Sequence, residues 1–257
     1  MIFPQTMTKR RSGPLVLCYH AVSETWQHDL SITPSDFDRQ LRSLVWRGFR
    51  GVSASDLLAS QGRVVHVTFD DAYKSVGNAL PVLERLGLSA TVFACADFAH
   101  NGRPFDVPEL AGEAALHPQE LATMNWDELR ALGDRGVEIG SHTLSHPHLP
   151  RLSDVEIDRE LRDSRAQIAD ELGRPCRFLA YPFGEHDARV RAGAHRAGYE
   201  AAHSLASTTA HSEARRFAVP RVDLYRKDGV FVTTLKTSVL RTPATSLLGL
   251  IRGRGTS

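Results

Sequence analysis

The segment VVHVTFDDAY, residues 64–73, places a valine-rich run directly before two adjacent aspartates. A short run of this kind, bounded by polar residues, is typical of a buried strand in a parallel sheet. Asp70 and Asp71 then lie at the carboxyl end of the strand, which is the end where α/β proteins hold their sites. The segment therefore predicts an α/β fold and one edge of it where polar side chains collect.

Similar strand patterns recur along the chain and alternate with helix patterns. One helix is expected after Thr33 and Pro34, and a capping box of Ser153 and Glu156 begins another. Because parallel strands need crossover connections, about seven such units predict an irregular (β/α) barrel of the distorted TIM type. The strands are expected in LVLCYH, VVHVTF, SATVFAC, GVEIG, RFLAYPF, YEAAHSL and RFAVPRV.

The chain shows no break in composition, so a single domain over residues 1–257 is predicted. Its core is expected at about residues 14–225, followed by a C-terminal helical extension. The segment from Phe98 to Leu121, rich in Pro, Gly and His, is expected to form a long loop over one face.

Composition excludes several classes of partner. There are 31 basic and 30 acidic residues, so no strong field favours nucleic acid or an anionic membrane. No apolar run approaches the roughly 20 residues of a membrane helix. The three cysteines are widely spaced, which is typical of buried free thiols. The start of the sequence has no apolar signal segment, and a cytoplasmic location is the corresponding expectation.

Polar residues follow several of the predicted strands. His20 ends the first strand, SHTLSHPH follows GVEIG, and YPFG ends the run that begins RFLA. Because the carboxyl ends of barrel strands meet on one face, these residues are expected to converge on one pocket with Asp70 and Asp71.

His142 and His146 are four residues apart within SHTLSHPH. In a helical turn both imidazoles would share one face, at a spacing suited to one metal ion. Asp70 or Asp71 would complete a set of two histidines and one carboxylate, which leaves positions open for water and substrate. The alternative is a solvated, His-rich loop without metal.

The second aspartate of the pair also needs a role. A carboxylate beside a metal-bound water can accept a proton from it, so one aspartate is expected to bind metal and the other to act as base. The alternative is that the pair caps a helix starting at Ala72 or Tyr73.

With these motifs the chain resembles the polysaccharide deacetylases, also called the NodB homology domain or carbohydrate esterase family 4. TFDDAY is similar to the first motif of that family, SHTLSH to the second and YPFG to the core of the third. The resemblance implies an irregular barrel, a divalent metal that is usually zinc, and removal of N-acetyl or, less often, O-acetyl groups from a saccharide. It also implies that Asp70 is the general base and that Asp71, His142 and His146 are the metal ligands.

Two departures from the family pattern bear on mechanism. Ala180 stands where the third motif commonly has an arginine that braces the base, and no late Leu-x-His motif supplies a proton donor. Arg221 lies within an apolar run and is predicted to reach Asp70 in place of the missing arginine, because a buried arginine needs a carboxylate partner. The alternative is an arginine that points outward.

The pocket is expected to include His20, Tyr181, Phe183 and Gly184, although each could instead serve packing. Two other functions fit the same motifs: hydrolysis of another amide or ester, and sugar binding without catalysis. The particular saccharide and the oligomeric state are not encoded in a readable form.

Overall fold

A computed structural model of the protein describes residues 14–205 and 216–238. The expectation about a signal segment concerns residues 1–13, which lie outside the described residues. The predicted C-terminal extension lies partly outside them as well, because its described part ends at residue 238. The single domain over the whole chain therefore stays a prediction.

Eleven strands and nine helices lie in the described ranges. The strands are β1 (Leu15–Tyr19), β2 (Ala21–Val22), β3 (Ser31–Ile32), β4 (Arg50–Gly51), β5 (Val64–Phe69), β6 (Ala90–Ala94), β7 (Glu138–Ser141), β8 (Phe178–Ala180), β9 (Ala201–Ser204), β10 (Val219–Pro220) and β11 (Val222–Asp223). The helices are α1 (Pro34–Trp46), α2 (Ala54–Leu57), α3 (Leu80–Leu86), α4 (Ala96–Ala99), α5 (Ala111–Leu116), α6 (Trp126–Asp134), α7 (Asp154–Leu172), α8 (Ala188–Arg196) and α9 (Val230–Lys236).

The main sheet is parallel throughout and forms a nearly closed barrel. Its strand order is β10, β9, β8, β7, β6, β5, β1 and β11, with β4 added beside β5. β10 pairs with β9 and β11 pairs with β1, and only Arg221 separates β10 from β11. The predicted strand RFAVPRV is therefore two short strands that bring the two ends of the barrel together. Counted as one interrupted strand, they give the seven strand positions expected from the sequence.

The helix boundaries follow local capping chemistry. Thr33 accepts a hydrogen bond from the Asp36 amide at the start of α1, and the capping box of Ser153 and Glu156 begins α7. Gly173 ends α7 in the left-handed conformation, which costs glycine least. These caps explain why the predicted helices begin and end close to their sequence signals.

The core has two main parts because successive strand side chains point to opposite faces. The larger part fills the space between the strands and the helices. The smaller part fills the barrel interior with one residue from each of several strands: Val16, Val64, Phe93, Phe178, Ala201 and Val219. Gly140 on β7 is required there, since a Cβ atom would lie 2.5 Å from the Phe93 ring.

The segment from Phe98 to Leu121 differs from the long loop expected. It contains a 3₁₀ turn at Pro108–Leu110 followed by α5, where the alanine-rich sequence AGEAAL favours a helix. Its apolar side chains pack against Trp26 and Tyr73, so it forms a folded cover beside the barrel mouth. No helix within the described ranges is long and apolar enough to span a membrane.

Candidate active site

Three loops meet at the carboxyl ends of β5, β7 and β8, and their backbone is strained. In the described ranges, every non-glycine residue with positive φ lies in these loops: Asp71, Ala72, Thr143, His146 and Phe183. Such conformations cost about 1–3 kcal/mol each and persist only where the surroundings hold them, most often at functional sites. The strain therefore marks the same edge of the sheet that the sequence motifs indicate.

Asp71, His142 and His146 form one buried group. The Asp71 Oδ1 atom lies 3.5 Å from His142 Nε2 and 3.7 Å from His146 Nε2. One potential ligand atom from each residue lies within 4.8 Å of the other two. The structure thus brings together the three residues expected to bind metal.

The turn that carries the two histidines is not helical, so the expectation of a helical turn is wrong. Thr143 and His146 have φ values of 72° and 63°, outside the right-handed helical region. Pro147 follows His146 and disfavours a helical conformation at that residue. The imidazoles still meet, with ring centroids 4.9 Å apart, and the chain bends at Leu144 and Ser145 between them.

The orientation of His142 is set by a backbone group. Its Nδ1 atom lies 2.8 Å from the carbonyl oxygen of Ala180, so an Nδ1–H tautomer donates there and leaves Nε2 as an acceptor directed at Asp71. Ala180 therefore contributes through its carbonyl, although its side chain cannot replace the arginine of the third motif. Burial lowers the pKa of His142, which favours the neutral form that binds metal.

Asp70 is paired with Arg221, and its Oδ2 atom also lies 3.9 Å from His142 Nε2. Arg221 Nη1 lies 2.6 Å from Asp70 Oδ1, and Nη2 lies 2.7 Å from Oδ2, so the pair is bidentate. Both side chains are almost fully buried, and Nη1 also donates to Thr68 Oγ1. The contact predicted between Arg221 and Asp70 is present, and the outward-pointing alternative is excluded. The pair does not cap a helix either, since the 3₁₀ turn that follows begins at Lys74 without a side-chain cap.

The two adjacent carboxylates have opposite electrostatics. Burial raises the pKa of Asp70, but the charge and hydrogen bonds of Arg221, together with the nearby histidines, outweigh it and hold that pKa below its usual range. Burial and the negative charge of Asp70 raise the pKa of Asp71 well above its usual range. Groups within the chain therefore stabilise the ionised form of Asp70. The ionised form of Asp71 would instead be stabilised by an added cation.

The residues fit a divalent ion. Asp71 Oδ1 is buried and has no hydrogen-bond partner within the described part of the chain. An ion bound tetrahedrally at about 2.1 Å separates its ligand atoms by roughly 3.4 Å, close to the distances from Asp71 to the two histidines. Two neutral imidazoles and one carboxylate are the donor set of catalytic zinc sites that leave a position open.

His20 lies beside Asp70, with a ring nitrogen within 4.8 Å of its carboxylate. It follows β1, whose Tyr19 is the register partner of Phe69, and it is half-buried. Its Nδ1 atom is buried without a hydrogen-bond partner in the described ranges. Burial lowers the pKa of His20, and the charges of Asp70 and Asp223 oppose that effect.

Two neighbours of Asp70 were not predicted. Cys18 donates a weak hydrogen bond of 3.4 Å from Sγ to Asp70 Oδ2, and Asp223, at the end of β11, is the register partner of Cys18. The signal for Asp223 was its place after a strand in PRVD, the same pattern as TFDD. Cys18, His20 and Asp70 form a second group within ligand distance, but Arg221 already neutralises Asp70 and disfavours a cation there.

The other expected pocket residues have different surroundings. Tyr181 is fully buried in the core and its hydroxyl donates to the Phe217 carbonyl, which is a packing role. Gly184 has φ 68°, and a Cβ atom there would lie 2.5 Å from Leu205 Cβ, so its role is also structural. Phe183 is half-buried beside the site, with its ring 4.6 Å from that of His146.

His148 joins the loops at the mouth of the site. Its ring stacks on Phe183 with centroids 4.0 Å apart, and its nitrogens lie 2.9 Å from Glu185 and 3.2 Å from Glu109. His148 thus links the segment from Phe98 to Leu121 with the loop after β8.

Comparison with known families agrees with this geometry. The family model described as polysaccharide deacetylase matches residues 59–202, more than half of the chain. The chain therefore belongs to the polysaccharide deacetylase family. A Bacillus subtilis (strain 168) relative, YxkH, whose name assigns it provisionally to the same family, is 22% identical over 215 residues, which cover 80% of this chain and 70% of YxkH.

Solved structures share the fold. BC0361, a polysaccharide deacetylase from Bacillus cereus, has a TM-score of 0.71 at 23% identity, covering 89% of this chain and 70% of its own. The Streptococcus pyogenes deacetylase PplD, solved in complex with acetate, has a TM-score of 0.72 at 19% identity, covering 89% and 99%. These likenesses establish the NodB-like, distorted (β/α) barrel.

Proposed function

We propose that this protein is a metal-dependent hydrolase that removes N-acetyl groups from a saccharide. The observation that carries the proposal is the contrast between two adjacent carboxylates, one neutralised by Arg221 and the other directed at two histidines. Membership of the polysaccharide deacetylase family supports the substrate class. Hydrolysis of an acetamide needs a base, a polarised carbonyl and a proton for the departing amine.

Asp71, His142 and His146 would hold the divalent ion, which zinc fits best among the common metals. When bound, such an ion polarises the acetyl carbonyl and makes a water molecule easier to deprotonate. The family membership supports the assignment, as does the buried Asp71 oxygen that lacks a hydrogen-bond partner among the described residues.

Asp70 would act as the general base. Its carboxylate Oδ2 lies 3.9 Å from His142 Nε2, so it borders the position that the attacking water would occupy. Arg221 keeps this carboxylate ionised and fixed in one orientation through two charge-assisted hydrogen bonds. Arg221 therefore takes the bracing role that Ala180 cannot perform.

His20 is the candidate proton donor for the departing amine. It lies at a strand end beside Asp70 and is partly open to solvent, and its Nδ1 atom has no partner within the described part of the chain. Burial lowers the pKa of His20, and the negative charges of Asp70 and Asp223 oppose this effect without reversing it, so the acid role rests on the position of His20 and not on its pKa. It would thus replace the histidine of the late motif that the sequence lacks.

The direct test is acetate release from N-acetylglucosamine oligomers, measured with the purified protein before and after treatment with a chelator. We expect release that the chelator abolishes and that added zinc restores. An O-acetylated sugar and a simple aryl ester serve as parallel substrates for the two other kinds of hydrolysis. Acetate release from the esters alone would reject the proposed N-deacetylase activity. Acetate release that persists in chelator would reject the proposed metal dependence.

A further inference from the structure

The turn between His142 and His146 is held by a carboxylate from a distant part of the chain. Glu160 on α7 accepts hydrogen bonds from the amides of Leu144, at 2.9 Å, and Ser145, at 3.1 Å. The Ser145 hydroxyl donates a third, of 2.8 Å, to the other carboxylate oxygen. One half-buried side chain thus engages three donors of two successive residues.

The opposite side of the same turn is held by α4. The Ala96 amide donates to the Thr143 carbonyl at 3.2 Å, and the Asp97 amide donates to the Leu144 carbonyl at 3.1 Å. The turn therefore lies between a carboxylate that binds its N–H groups and a helix start that binds its carbonyl groups. In this conformation both N–H and carbonyl groups of the turn have partners.

The backbone of the turn is strained at a proposed metal ligand. Thr143 and His146 both have positive φ, and His146 itself is one of the two imidazole donors. A residue in this region reverts to a more ordinary conformation unless the surroundings over-determine it. Hydrogen bonds to a carboxylate are about twice as strong as neutral ones, so Glu160 is well suited to oppose that reversion.

We propose that Glu160 is a positioning residue for the group formed by Asp71, His142 and His146. By fixing Leu144 and Ser145, its carboxylate holds the turn in the form in which both Nε2 atoms face Asp71. Glu160 touches neither substrate nor reacting atoms, and it acts through the backbone. The proposal rests on the metal site of the proposed function, and it adds a supporting residue on α7 to that site.

The test compares zinc affinity with stability in four variants of the full chain. Glu160→Ala removes the carboxylate, and Glu160→Gln keeps its shape with one oxygen acceptor instead of two. Glu171→Ala and Glu171→Gln make the same changes at an exposed position of the same helix. Each protein is stripped with chelator, zinc binding is measured by competition with a chromophoric chelator, and the melting temperature is measured without metal.

We expect Glu160→Ala to weaken zinc binding about 10- to 100-fold, the usual effect of losing a group that orients metal ligands. Glu160→Gln should weaken it less, and the Glu171 variants should bind zinc as wild type does. If Glu160→Ala does not fold, the nearly isosteric Glu160→Gln decides the question.

Wild-type zinc affinity in both Glu160 variants, with or without a lower melting temperature, would reduce Glu160 to a structural role and overturn the inference. That failure leaves the metal site of the wild-type protein intact. Absence of zinc binding by the wild-type protein would instead overturn the proposed metal site, and the inference with it.

Discussion

Asp70 and Asp71 are neighbours in the chain and nearly equal in burial, at 2% and 4% exposure, yet they lie in opposite environments. Both oxygens of Asp70 are bonded to the Arg221 guanidinium, whereas Asp71 Oδ1 lies 3.5 and 3.7 Å from the Nε2 atoms of two histidines and has no hydrogen-bond partner in the described ranges. The pKa of Asp70 is held low by Arg221, and the pKa of Asp71 is raised by burial.

The difference arises from backbone geometry. Asp70 still follows the strand direction, and its amide donates to the Tyr19 carbonyl, while Asp71 has φ 66°. The change in conformation between them turns one carboxylate into the barrel and the other toward the β7 loop. A charge stabilised by the protein itself suits a base, and a charge that lacks a partner suits a metal ligand.

The largest effect is expected from Asp70→Asn. This change removes the proton acceptor but keeps the shape of the side chain, so deacetylation should fall by up to about 10⁴-fold. The metal content should stay that of wild type, because Asp70 is not among the proposed ligands. Steady-state acetate release and elemental analysis of the same samples check both parts. A variant with activity close to that of wild type would end the distinction between the two aspartates.

Arg221→Met tests how much the buried ion pair with Asp70 contributes to the free energy of unfolding. Removing the arginine leaves a buried carboxylate without its counter-ion, which should cost about 3–5 kcal/mol of unfolding free energy. The matched control is Arg177→Met, since Arg177 makes an equally bidentate pair with Glu200 on the surface. That change should cost less than about 1 kcal/mol. Urea unfolding of both variants gives the comparison, and equal losses would show that burial of the Arg221 pair does not matter.

His20→Gln tests whether the histidine beside Asp70 is the proton donor. A glutamine can form hydrogen bonds but cannot donate a proton to the leaving amine, so activity should fall by about 10²-fold, the lower end of acid–base effects. Zinc affinity should not change. The matched control is His186→Gln, because His186 contacts Arg191 and the Tyr181 ring away from Asp70. Equal activity in the two variants would remove His20 from the mechanism.

A smaller effect concerns pH and the metal-free protein. The pKa of Asp71 is raised on folding, so its favourable contribution is complete below its unfolded value of about 3.9 and is lost as pH rises toward the folded pKa. The pKa of Asp70 is lowered, so its contribution is present above that value and is lost as pH falls.

In chelator at neutral pH, Asp71→Asn should therefore raise the unfolding free energy, because it removes a carboxyl whose raised pKa costs stability above its unfolded value. Asp70→Asn should lower it. Urea unfolding from pH 4 to 8 distinguishes the signs. A loss of stability in both variants would show that the two carboxylates do not differ as described.

The sequence predicts the fold well where the local signals are strong. VVHVTF coincides with β5, and the capping box of Ser153 and Glu156 begins α7, because strand periodicity and cap chemistry are both local. The convergence of Asp71, His142 and His146 was also predictable, since the ends of parallel strands share one edge of the sheet.

The remaining features depend on contacts that are distant in sequence. RFAVPRV reads as one strand, and only the closure of the barrel divides it at Arg221 into β10 and β11. The histidine turn has the spacing of a helix, but Pro147 and the contacts from Glu160 and α4 impose another conformation. Glu160 carries no sequence signal at all, because its partner is the backbone of another loop.

The central claim is that the chain divides two adjacent carboxylates between proton transfer and metal binding, and metal content tests it most directly. Wild type, Asp70→Asn, Asp71→Asn and His142→Ala are purified, loaded with zinc, freed of excess ion and analysed for metal per chain. One ion in wild type and in Asp70→Asn, with little in the other two variants, is the predicted result. Retention of the ion by Asp71→Asn and His142→Ala, or its loss from Asp70→Asn alone, would contradict the assignment.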